Sequence, residues 1–323
     1  MFSPIYQRKI VQNTHTVAFY NLENLFDTYN DAFILDDDYT ATGFREWTPK
    51  RYHKKLNRLA KAISKIGFKN TYKAPVLIGV AEVENNKVMQ DLIAKEPLAH
   101  IPYNTIHFDS PDERGIDTGL IYDTRYFTVE ETDTITIMVN NLNGERDTTR
   151  DVLYVKGLLN GEWVHIFVNH WPSRRDGEQD TEYKRIEAAA TIGRYMDAIE
   201  QEEADPNYII MGDFNDSPAN KSMALLMERG SLYNPMKSLL SPRRGSANYR
   251  RKWSLFDQIL VSHNFFNYEK GTHSFTKADI FDEQFLQEYK GKYKGSPYRT
   301  FVGKKYRGGY SDHFPVYIQL KMN

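Results

Sequence analysis

Residues 208–218, YIIMGDFNDSP, contain an apolar run that ends abruptly in a cluster of polar residues. Residues 208–211 are typical of a buried strand, and Gly212 with the Asn, Asp, Ser and Pro residues that follow ends it. An Asx turn explains such a cluster without any chemistry, because Asp and Asn side chains satisfy backbone groups in tight turns. The rest of the chain has to decide between a turn and a site.

The composition allows a substantial core and excludes several kinds of site. The 323 residues are 40% hydrophobic and 26% charged, which is ordinary for a globular protein. Lys and Arg number 42 against 43 Asp and Glu, so any attraction for phosphates has to come from a local patch. The chain has no cysteine, which excludes thiol nucleophiles, disulfides and cysteine-ligated metals.

The sequence carries no targeting signal that we recognise. No apolar run approaches the length of a membrane span, and residues 1–12 lack the apolar stretch of a signal peptide. We therefore expect a cytoplasmic monomer without a membrane span. A protein exported with a trimmed signal would have the same sequence and stays open as the alternative.

Strand and helix patterns alternate along one domain, which we expect to cover residues 16–323 after an N-terminal extension of residues 1–15. Apolar runs predict strands at 16–21, 75–83, 103–108, 118–122, 126–139, 152–159, 163–170, 208–211, 255–261 and 314–320. Periodicity predicts helices at 51–66, 86–95, 178–201 and near 220–229, the third with a stripe of Ile186, Ala189, Ala190, Gly193, Met196 and Ile199. Asn160 and Gly161 predict a hairpin turn. This order favours an α/β fold with two packed sheets and covering helices.

Several common catalytic motifs are missing from the sequence. It has neither the G-x-x-x-x-G-K-[ST] nor the G-x-G-x-x-G pattern of phosphate-binding loops. It also lacks H-E-x-x-H and G-x-S-x-G. Nucleotide-driven phosphoryl transfer, zincin proteolysis and serine hydrolysis therefore have no support.

Polar residues instead end five predicted strands, within FYNLEN, IGVAEVEN, FVNHWPSR, MGDFND and YSDHFPV. They are Asn21, Glu82, His170, Asp213 with Asn215, and Asp312 with His313, and Asp257 interrupts SLFDQILVS. Each has an ordinary explanation as a turn former, a structural histidine or a solvated acid, but all of these explanations would have to hold together. Buried carboxylates need a partner or a metal, and oxygen ligands without thiolates favour Mg²⁺ or Mn²⁺.

In this order the motifs resemble those of the endonuclease/exonuclease/phosphatase superfamily, a group of metal-dependent phosphoesterases that includes DNase I-like nucleases. The resemblance runs from about residue 16 to residue 320, and NLENLFDT, GFREWTPKRY and GGYSDHFPV are similar to a bacterial branch of unassigned substrate. It implies a four-layer α/β sandwich, in which two packed, mostly antiparallel sheets are flanked by helices and the site lies at one end.

The resemblance also implies roles for the residues at matching positions. Glu82 matches the ligand of the catalytic metal, with Asn21 and Asp312 assisting, and the implied cofactor is Mg²⁺ or, alternatively, Mn²⁺. His313 matches the catalytic histidine, as proton acceptor or as stabilising cation, and Asp257 its orienting carboxylate. Asp213 and Asn215 match the pair that positions the water and the scissile phosphate, and His170 matches a second histidine. Arg150, Asn215 and His170 match residues that bind the substrate phosphate.

Two departures from the family pattern concern neighbours of these residues. Ala81 stands where the family usually has Gln before the metal-binding Glu, and Gln258 stands where Tyr or His often follows the orienting Asp. Neither removes a catalytic group, but the first changes the surroundings of Glu82.

The substrate is predicted from two basic segments that flank site motifs. Residues 242–253 contain five Lys or Arg and no acid, and residues 288–310 contain seven with one acid and several tyrosines. Basic residues interleaved with aromatics suit a nucleic acid, although a solvated surface loop has the same composition. We expect a nuclease-type phosphodiesterase. The alternatives are a hydrolase of a small phosphoester (a phosphoinositide, a phospholipid head group or a nucleotide) and a catalytically silent binding module.

Overall fold

The structure, a computed structural model, describes residues 13–141 and 143–323. Residues 1–12 of the predicted extension lie outside the described residues. The strands are β1 (Thr14–Leu25), β2 (Leu77–Val83), β3 (Tyr103–His107), β4 (Asp117–Asp123), β5 (Phe127–Ile135), β6 (Val139–Asn140), β7 (Arg146–Asp147), β8 (Val152–Leu159), β9 (Glu162–His170), β10 (Tyr208–Asp213), β11 (Leu232–Tyr233), β12 (Ala247–Tyr249), β13 (Lys252–Ser254), β14 (Asp257–Ser262), β15 (His273–Ile280), β16 (Phe301–Val302), β17 (Lys305–Tyr306) and β18 (Val316–Met322). The α-helices are α1 (Pro49–Ile63), α2 (Phe68–Thr71), α3 (Asn86–Ile93), α4 (Glu182–Glu202) and α5 (Lys221–Met227).

Two six-stranded sheets form the centre of the molecule. The first has the order β15-β18-β1-β2-β4-β3 and the second the order β11-β14-β10-β9-β8-β5. Neighbouring strands are antiparallel except for one central parallel pair in each sheet, β1 with β2 and β9 with β10. The carboxyl ends of each parallel pair therefore lie at one edge of its sheet.

The sheets pack face to face and helices cover their outer faces. One apolar cluster joins Phe19 and Ile78 of the first sheet to Ile209 and Ile259 of the second. Gly79 marks the close approach, because a Cβ there would lie 2.5 Å from Sδ of Met211. The same cluster includes side chains of α1 and α3, and a second cluster joins the other face of the second sheet to α4 and α5. The four-layer α/β sandwich predicted from the sequence is confirmed.

Local sequence explains where the helices that cover the first sheet begin. Thr48 caps α1 by accepting a hydrogen bond from the Arg51 backbone, and Pro49 occupies the first helical position, which suits a residue without an N–H. Asn85 caps α3 in the same way, accepting from Val88. No helix within the described ranges is long and apolar enough to cross a membrane.

Three secondary-structure predictions need correction. The strand predicted over 126–139 ends at Ile135 as β5, and Val139 and Asn140 form the separate short strand β6, which pairs with β7. Helix α4 begins at Glu182 rather than at 178, and its buried face includes Arg185, Ala188 and Ile192, whereas Ile186 is only half-buried. The sequence did not indicate this face because an arginine is normally exposed. Arg185 is buried here because it forms an ion pair with Asp216. Strand β15 was missed, because its sequence HSFTKADI has no continuous apolar run and forms the edge of its sheet.

Candidate active site

The predicted site residues meet at one end of the two sheets. Asn21 and Glu82 lie near the carboxyl ends of the parallel pair of the first sheet, and His170 and Asp213 end the parallel pair of the second. Strand β14 begins at this end with Asp257, which pairs directly with Asp213. His313 comes just before β18. The sequence prediction that these residues converge agrees with this geometry, while their individual roles stay predictions.

A bulge between β1 and β2 aims Glu82 at the neighbouring strand ends. The register of the two strands shifts between Asn21 and Leu25, and Glu23, Asn24 and Glu82 all have positive φ, at 52°, 50° and 61°. Such a conformation is unfavourable for residues other than glycine and clusters at functional sites. Asn24 N–H donates to Glu82 Oε2 over 2.7 Å, which fixes the carboxylate with one face open to solvent.

Asn21 links the two sheets through its side-chain amide. The amide nitrogen donates to Glu82 Oε1 over 3.3 Å and to Asp213 Oδ2 over 3.0 Å. Its oxygen accepts from the Glu23 backbone N–H over 2.9 Å. Because Asn21 is fully buried, these bonds hold the two carboxylates at a fixed separation.

His313 and Asp257 form a hydrogen-bonded pair beside Asp213. His313 Nδ1 donates to Asp257 Oδ2 over 2.7 Å, so the other ring nitrogen faces the site. His313 Nε2 lies 3.9 Å from Asp213 Oδ2. Asp257 is fully buried, and its second oxygen has no hydrogen-bond partner, so its charge acts mainly on the imidazole.

His170 completes the group from strand β9. Its Nε2 lies 4.0 Å from Glu82 Oε1 and 3.9 Å from Asp213 Oδ2, which leaves room for a further atom between them. Arg150 lies behind His170, but its guanidinium donates to Asp112 over 2.9 Å and to the Trp171 carbonyl over 3.1 Å. Asn215 donates to the same carbonyl over 3.0 Å.

Burial and mutual charge set the protonation of these groups. Burial disfavours the charged imidazole of His313, but the Asp257 and Asp213 carboxylates outweigh it and raise its pKa well above the usual range. Burial raises the pKa of Asp213 to about 6, against the opposing effect of His313. Burial lowers the pKa of His170 well below its usual range, and Arg150 adds to the shift. The site thus pairs a charged His313 with a neutral His170.

The residues present fit a divalent cation. The donors beside Glu82 are carboxylate and amide oxygens, the ligands of hard cations, and each oxygen of Glu82 accepts only one hydrogen bond. The Glu82 side chain is 16% exposed, so an ion can reach it. Asp312 lies near Glu82, because the charges of Lys55 and Arg299 each interact with both carboxylates.

A partly buried ionic network near Glu82 was not predicted from the sequence. Arg299 lies 2.8 Å from Asp312 and 3.6 Å from Glu23, and the buried Lys55 lies 3.7 Å from Glu23. Glu23 also accepts backbone hydrogen bonds from Thr300 and Phe301. The sequence signal that could have indicated this network was Glu23, the acid of the motif NLEN, two positions after Asn21.

A second group missed from the sequence holds the loop after β10. Asp216 is fully buried, lies 2.5 Å from Arg174 and 2.8 Å from Arg185, and accepts from Ser222 over 2.5 Å. Gln258, one of the departures from the family pattern, donates to the Asp216 carbonyl over 2.7 Å. This group fixes the loop that carries Asn215.

Replacing Asp216 with Ala is expected to destabilise the protein by about 3–5 kcal/mol, because it leaves the buried Arg185 without its counter-charge. Urea unfolding measures this loss. Asp197→Ala is the matched control, since it removes an exposed acid that also pairs with an arginine and should cost about 1 kcal/mol or less. Equal losses in the two variants would show that Asp216 does not brace the loop.

Three of the five tyrosines of the basic segment 288–310 contact arginines of α1, whereas Tyr289 and Tyr293 are exposed. Arg51 of α1 lies 4.5 Å from the ring centroid of Tyr306, and Arg58 lies 5.3 Å from Tyr298 and 5.2 Å from Tyr310. These cation–π contacts stabilise the segment against α1. Base stacking on these three rings, which the composition of the segment favoured, is therefore not supported by the geometry.

The comparisons with known proteins agree with this architecture. The sequence profile of the Endonuclease/Exonuclease/phosphatase family matches residues 16–322. No curated protein sequence matches at a significant level.

Solved structures of similar fold come from bacteria and animals. An endonuclease/exonuclease/phosphatase family protein from Bacteroides thetaiotaomicron is 17% identical, with a TM-score of 0.60 over 96% of this chain and 98% of the other. A mannosyl-6-phosphatase from the same species is 16% identical, with a TM-score of 0.56 over 95% and 99%. The human Nocturnin catalytic domain is 14% identical, with a TM-score of 0.57 over 97% and 96%. At these identities the similarity concerns the fold.

Proposed function

The chain belongs to the endonuclease/exonuclease/phosphatase family, and on that premise we propose that it is a metal-dependent phosphodiesterase of nuclease type. Members of the family are generally hydrolases of phosphoester bonds. The observation that carries the proposal is the hydrogen bond between His313 and Asp257 beside Asp213. We further propose that residues 16–323 form a single catalytic domain, a view supported by the pairing of β1 with β18 near the two ends of the chain.

Glu82 is the proposed anchor of a divalent cation, with Asn21 and Asp312 assisting. Mg²⁺ is our first assignment and Mn²⁺ the second, because both prefer oxygen ligands. When bound, such an ion neutralises charge that develops on the phosphate oxygens. Asn24 and Asn21 contribute by holding the Glu82 carboxylate in one orientation.

Asp213 is the proposed general base of the hydrolysis, and His313 is the proposed stabilising cation. A water oxygen forms the new bond to phosphorus as the bond to the leaving oxygen breaks, and Asp213 accepts the water proton. The leaving oxygen departs with the bonding electron pair and takes a proton from solvent. His313 faces Asp213 through Nε2, where its imidazolium form stabilises the negative charge of the transition state. The raised pKa of His313 favours this role over that of proton acceptor. Asp257 keeps the ring oriented.

Asn215 and His170 are the proposed contacts for the nonbridging phosphate oxygens. A neutral His170 can donate one hydrogen bond, and its Nε2 faces the space between Glu82 and Asp213. Arg150, with its terminal nitrogens held by Asp112 and Trp171, contributes its positive charge from behind His170.

A hydrolase of a small phosphoester is the second candidate, and one observation favours it. Exposed acids occupy the loops that follow β1, β3 and β9, among them Asp31, Asp109 and Asp176, and they repel a long polyanion over much of the mouth of the site. A silent binding module is less favoured, because the set matched to the family is complete at Asn21, Glu82, Asp213, Asn215, Asp257, Asp312 and His313.

A substrate panel with Mg²⁺, Mn²⁺ or EDTA tests the assignment. We expect hydrolysis of bis(p-nitrophenyl) phosphate and of a nucleic-acid strand with either metal, and none in EDTA. Turnover of small phosphoesters such as mannose 6-phosphate, without cleavage of single-stranded DNA, duplex DNA or RNA, would replace the nuclease assignment with the second candidate. Turnover that persists unchanged in EDTA would contradict the metal dependence.

A further inference from the structure

Strands β12 and β13 form a β-hairpin, Ala247–Ser254, with a two-residue turn. The base of this hairpin is attached to the proposed catalytic residues. Ala247 forms a β-bridge with His313, and the Ser246 carbonyl accepts the Phe314 N–H over 2.7 Å. The Ser246 hydroxyl accepts the Asp257 N–H over 3.2 Å. The hairpin, which we call the arginine hairpin, is thus fixed relative to both members of the His313–Asp257 pair.

The tip of the arginine hairpin has an unusual turn sequence. Its two central residues are Arg250 and Arg251, with φ of 49° and 71°, whereas two-residue turns of this kind prefer Asn-Gly. The left-handed conformation costs about 1–2 kcal/mol for a residue with a Cβ. Two arginines at these positions are therefore a poor choice for stability, which indicates that their side chains serve another purpose.

The charges at this tip have no counter-charge within the protein. Among the described residues, no acidic side chain forms an ion pair with Arg250, Arg251 or Lys252. Arg244 of the same basic segment differs, because Asp279 and Asp282 both hold it over 2.8 Å. Tyr249 is 71% exposed, and the Arg250 guanidinium lies over its ring, 5.2 Å from the centroid. The tip therefore presents three positive charges without an acidic partner and one exposed aromatic ring.

The position of the tip determines which ligand it can reach. Arg250 lies three positions after Ala247, so the tip extends about 10 Å along the strand from the residue that is bridged to His313. That distance corresponds to about three nucleotides at a rise of about 3.4 Å per nucleotide, so a strand bound at His313 spans it.

The charge around the site favours a strand over a flat anionic surface. The exposed acids on the loops after β1, β3 and β9, including Asp109 at 91% exposure, repel a membrane surface that would have to contact all sides of the mouth. A single nucleic-acid strand can lie along the arginine hairpin alone and enter the site from that side.

We propose that the arginine hairpin binds the phosphates of a nucleic-acid strand about three nucleotides from the bond cleaved at His313. The proposal rests on the phosphodiesterase function proposed above and gives it a substrate class. Arg250, Arg251 and Lys252 bind backbone phosphates, which requires no particular base sequence, and Tyr249 stacks on a base.

The variant R250N/R251G tests the proposal without endangering the fold. Asn-Gly suits the turn better than Arg-Arg, so the melting temperature should stay level or rise while two charges are lost. The control K270N/K321N removes two charges at the opposite end of the sheets, where β15 begins and β18 ends.

Binding of a fluorescent oligothymidylate in EDTA, followed by anisotropy against salt concentration, is the measurement. Each phosphate contact contributes a log–log slope of about −0.7 for a single strand. R250N/R251G should therefore bind about 25-fold more weakly than the wild type at about 0.1 M salt and equally at about 1 M. The control should bind like the wild type.

Two outcomes would overturn the proposal. One is equal oligothymidylate affinity of R250N/R251G and the wild type, or an equal loss in the control. The other is arginine-dependent binding of phosphatidylserine vesicles without binding of the oligonucleotide, which would assign the tip to a membrane surface. Hydrolysis of bis(p-nitrophenyl) phosphate, which should be the same in R250N/R251G and the wild type, separates this test from that of the proposed function. If the wild type does not hydrolyse that diester, the proposed hydrolase function is wrong. The oligothymidylate binding data would still decide whether the arginine hairpin binds a nucleic-acid strand.

Discussion

Replacing His313 with Ala is expected to lower kcat/KM for bis(p-nitrophenyl) phosphate by about 10²- to 10³-fold, the range typical of losing a group that stabilises transition-state charge. The variant loses the cation that faces Asp213, whereas Glu82 and Asn21 remain in place. Steady-state kinetics of the wild type and variant measure the effect. A loss smaller than about tenfold would remove His313 from the chemical step.

Asp257→Ala should cost less than His313→Ala, and the two losses should not multiply. Asp257 acts through the 2.7 Å hydrogen bond to Nδ1 of His313, so it has nothing to orient once the histidine is absent. Groups that act as a unit are non-additive in this way. In the single Asp257→Ala variant the pKa of His313 should fall, because its nearest anion is gone, and the pH profile of kcat/KM should move to lower pH. If the loss in the double variant equals the product of the two single losses, Asp257 and His313 act independently, and Asp257 does not act through His313.

Replacing Glu82 with Gln is expected to reduce activity by about 10²-fold at limiting Mg²⁺ and to be partly rescued by excess Mg²⁺. The substitution removes the anionic charge and keeps one oxygen, so one of the two hydrogen bonds from Asn21 and Asn24 retains its acceptor. The largest loss should fall on metal affinity. The measurement is kcat/KM as a function of Mg²⁺ concentration. Glu84→Gln is the control, because Glu84 follows strand β2 by one position and the proposed metal site does not use it. Burial raises the pKa of Glu84 to about 8, so both variants are compared at about pH 9, where this carboxyl is charged.

A maximal rate that falls without any change in the Mg²⁺ concentration needed for half-activity would contradict the role of Glu82 as a ligand. The same result in Glu84→Gln as in Glu82→Gln would also contradict it, since the effect would then belong to the charge of the loop.

Much of the fold was predictable because the central strands are continuous apolar runs with polar ends. The run 208–211 became β10, and the polar residues after it reach the same end of the molecule as those of β1, β2 and β9. The family resemblance added the layer arrangement, which periodicity alone does not determine. The profile match over residues 16–322 confirms that resemblance.

Contacts between distant segments were not predictable from local sequence. The two acids of GDFND look alike in the sequence, yet Asp213 faces His313 and Asp216 is buried against Arg174 and Arg185. An ion pair across 31 positions, from Arg185 to Asp216, leaves no periodic signal. The buried arginine therefore appeared to belong to the exposed face of α4.

The basic segments show the same limit for surface residues. Composition treats all their cations alike, but Arg244 is held by two acids whereas Arg250 and Arg251 are free. Turn chemistry also argued against a two-residue hairpin, because Arg-Arg is a poor sequence for positive φ. Only the structure reveals that these two arginines form the tip of a hairpin whose base is bridged to His313.

The most direct test of the account is hydrolysis of bis(p-nitrophenyl) phosphate by the wild type and by His313→Ala, each with Mg²⁺ and with EDTA. We expect turnover only by the wild type with Mg²⁺, with the other three reactions reduced by about 10²-fold or more. Equal turnover in EDTA, or equal turnover by His313→Ala, would contradict the claim that this end of the two sheets is a metal-dependent phosphoesterase site.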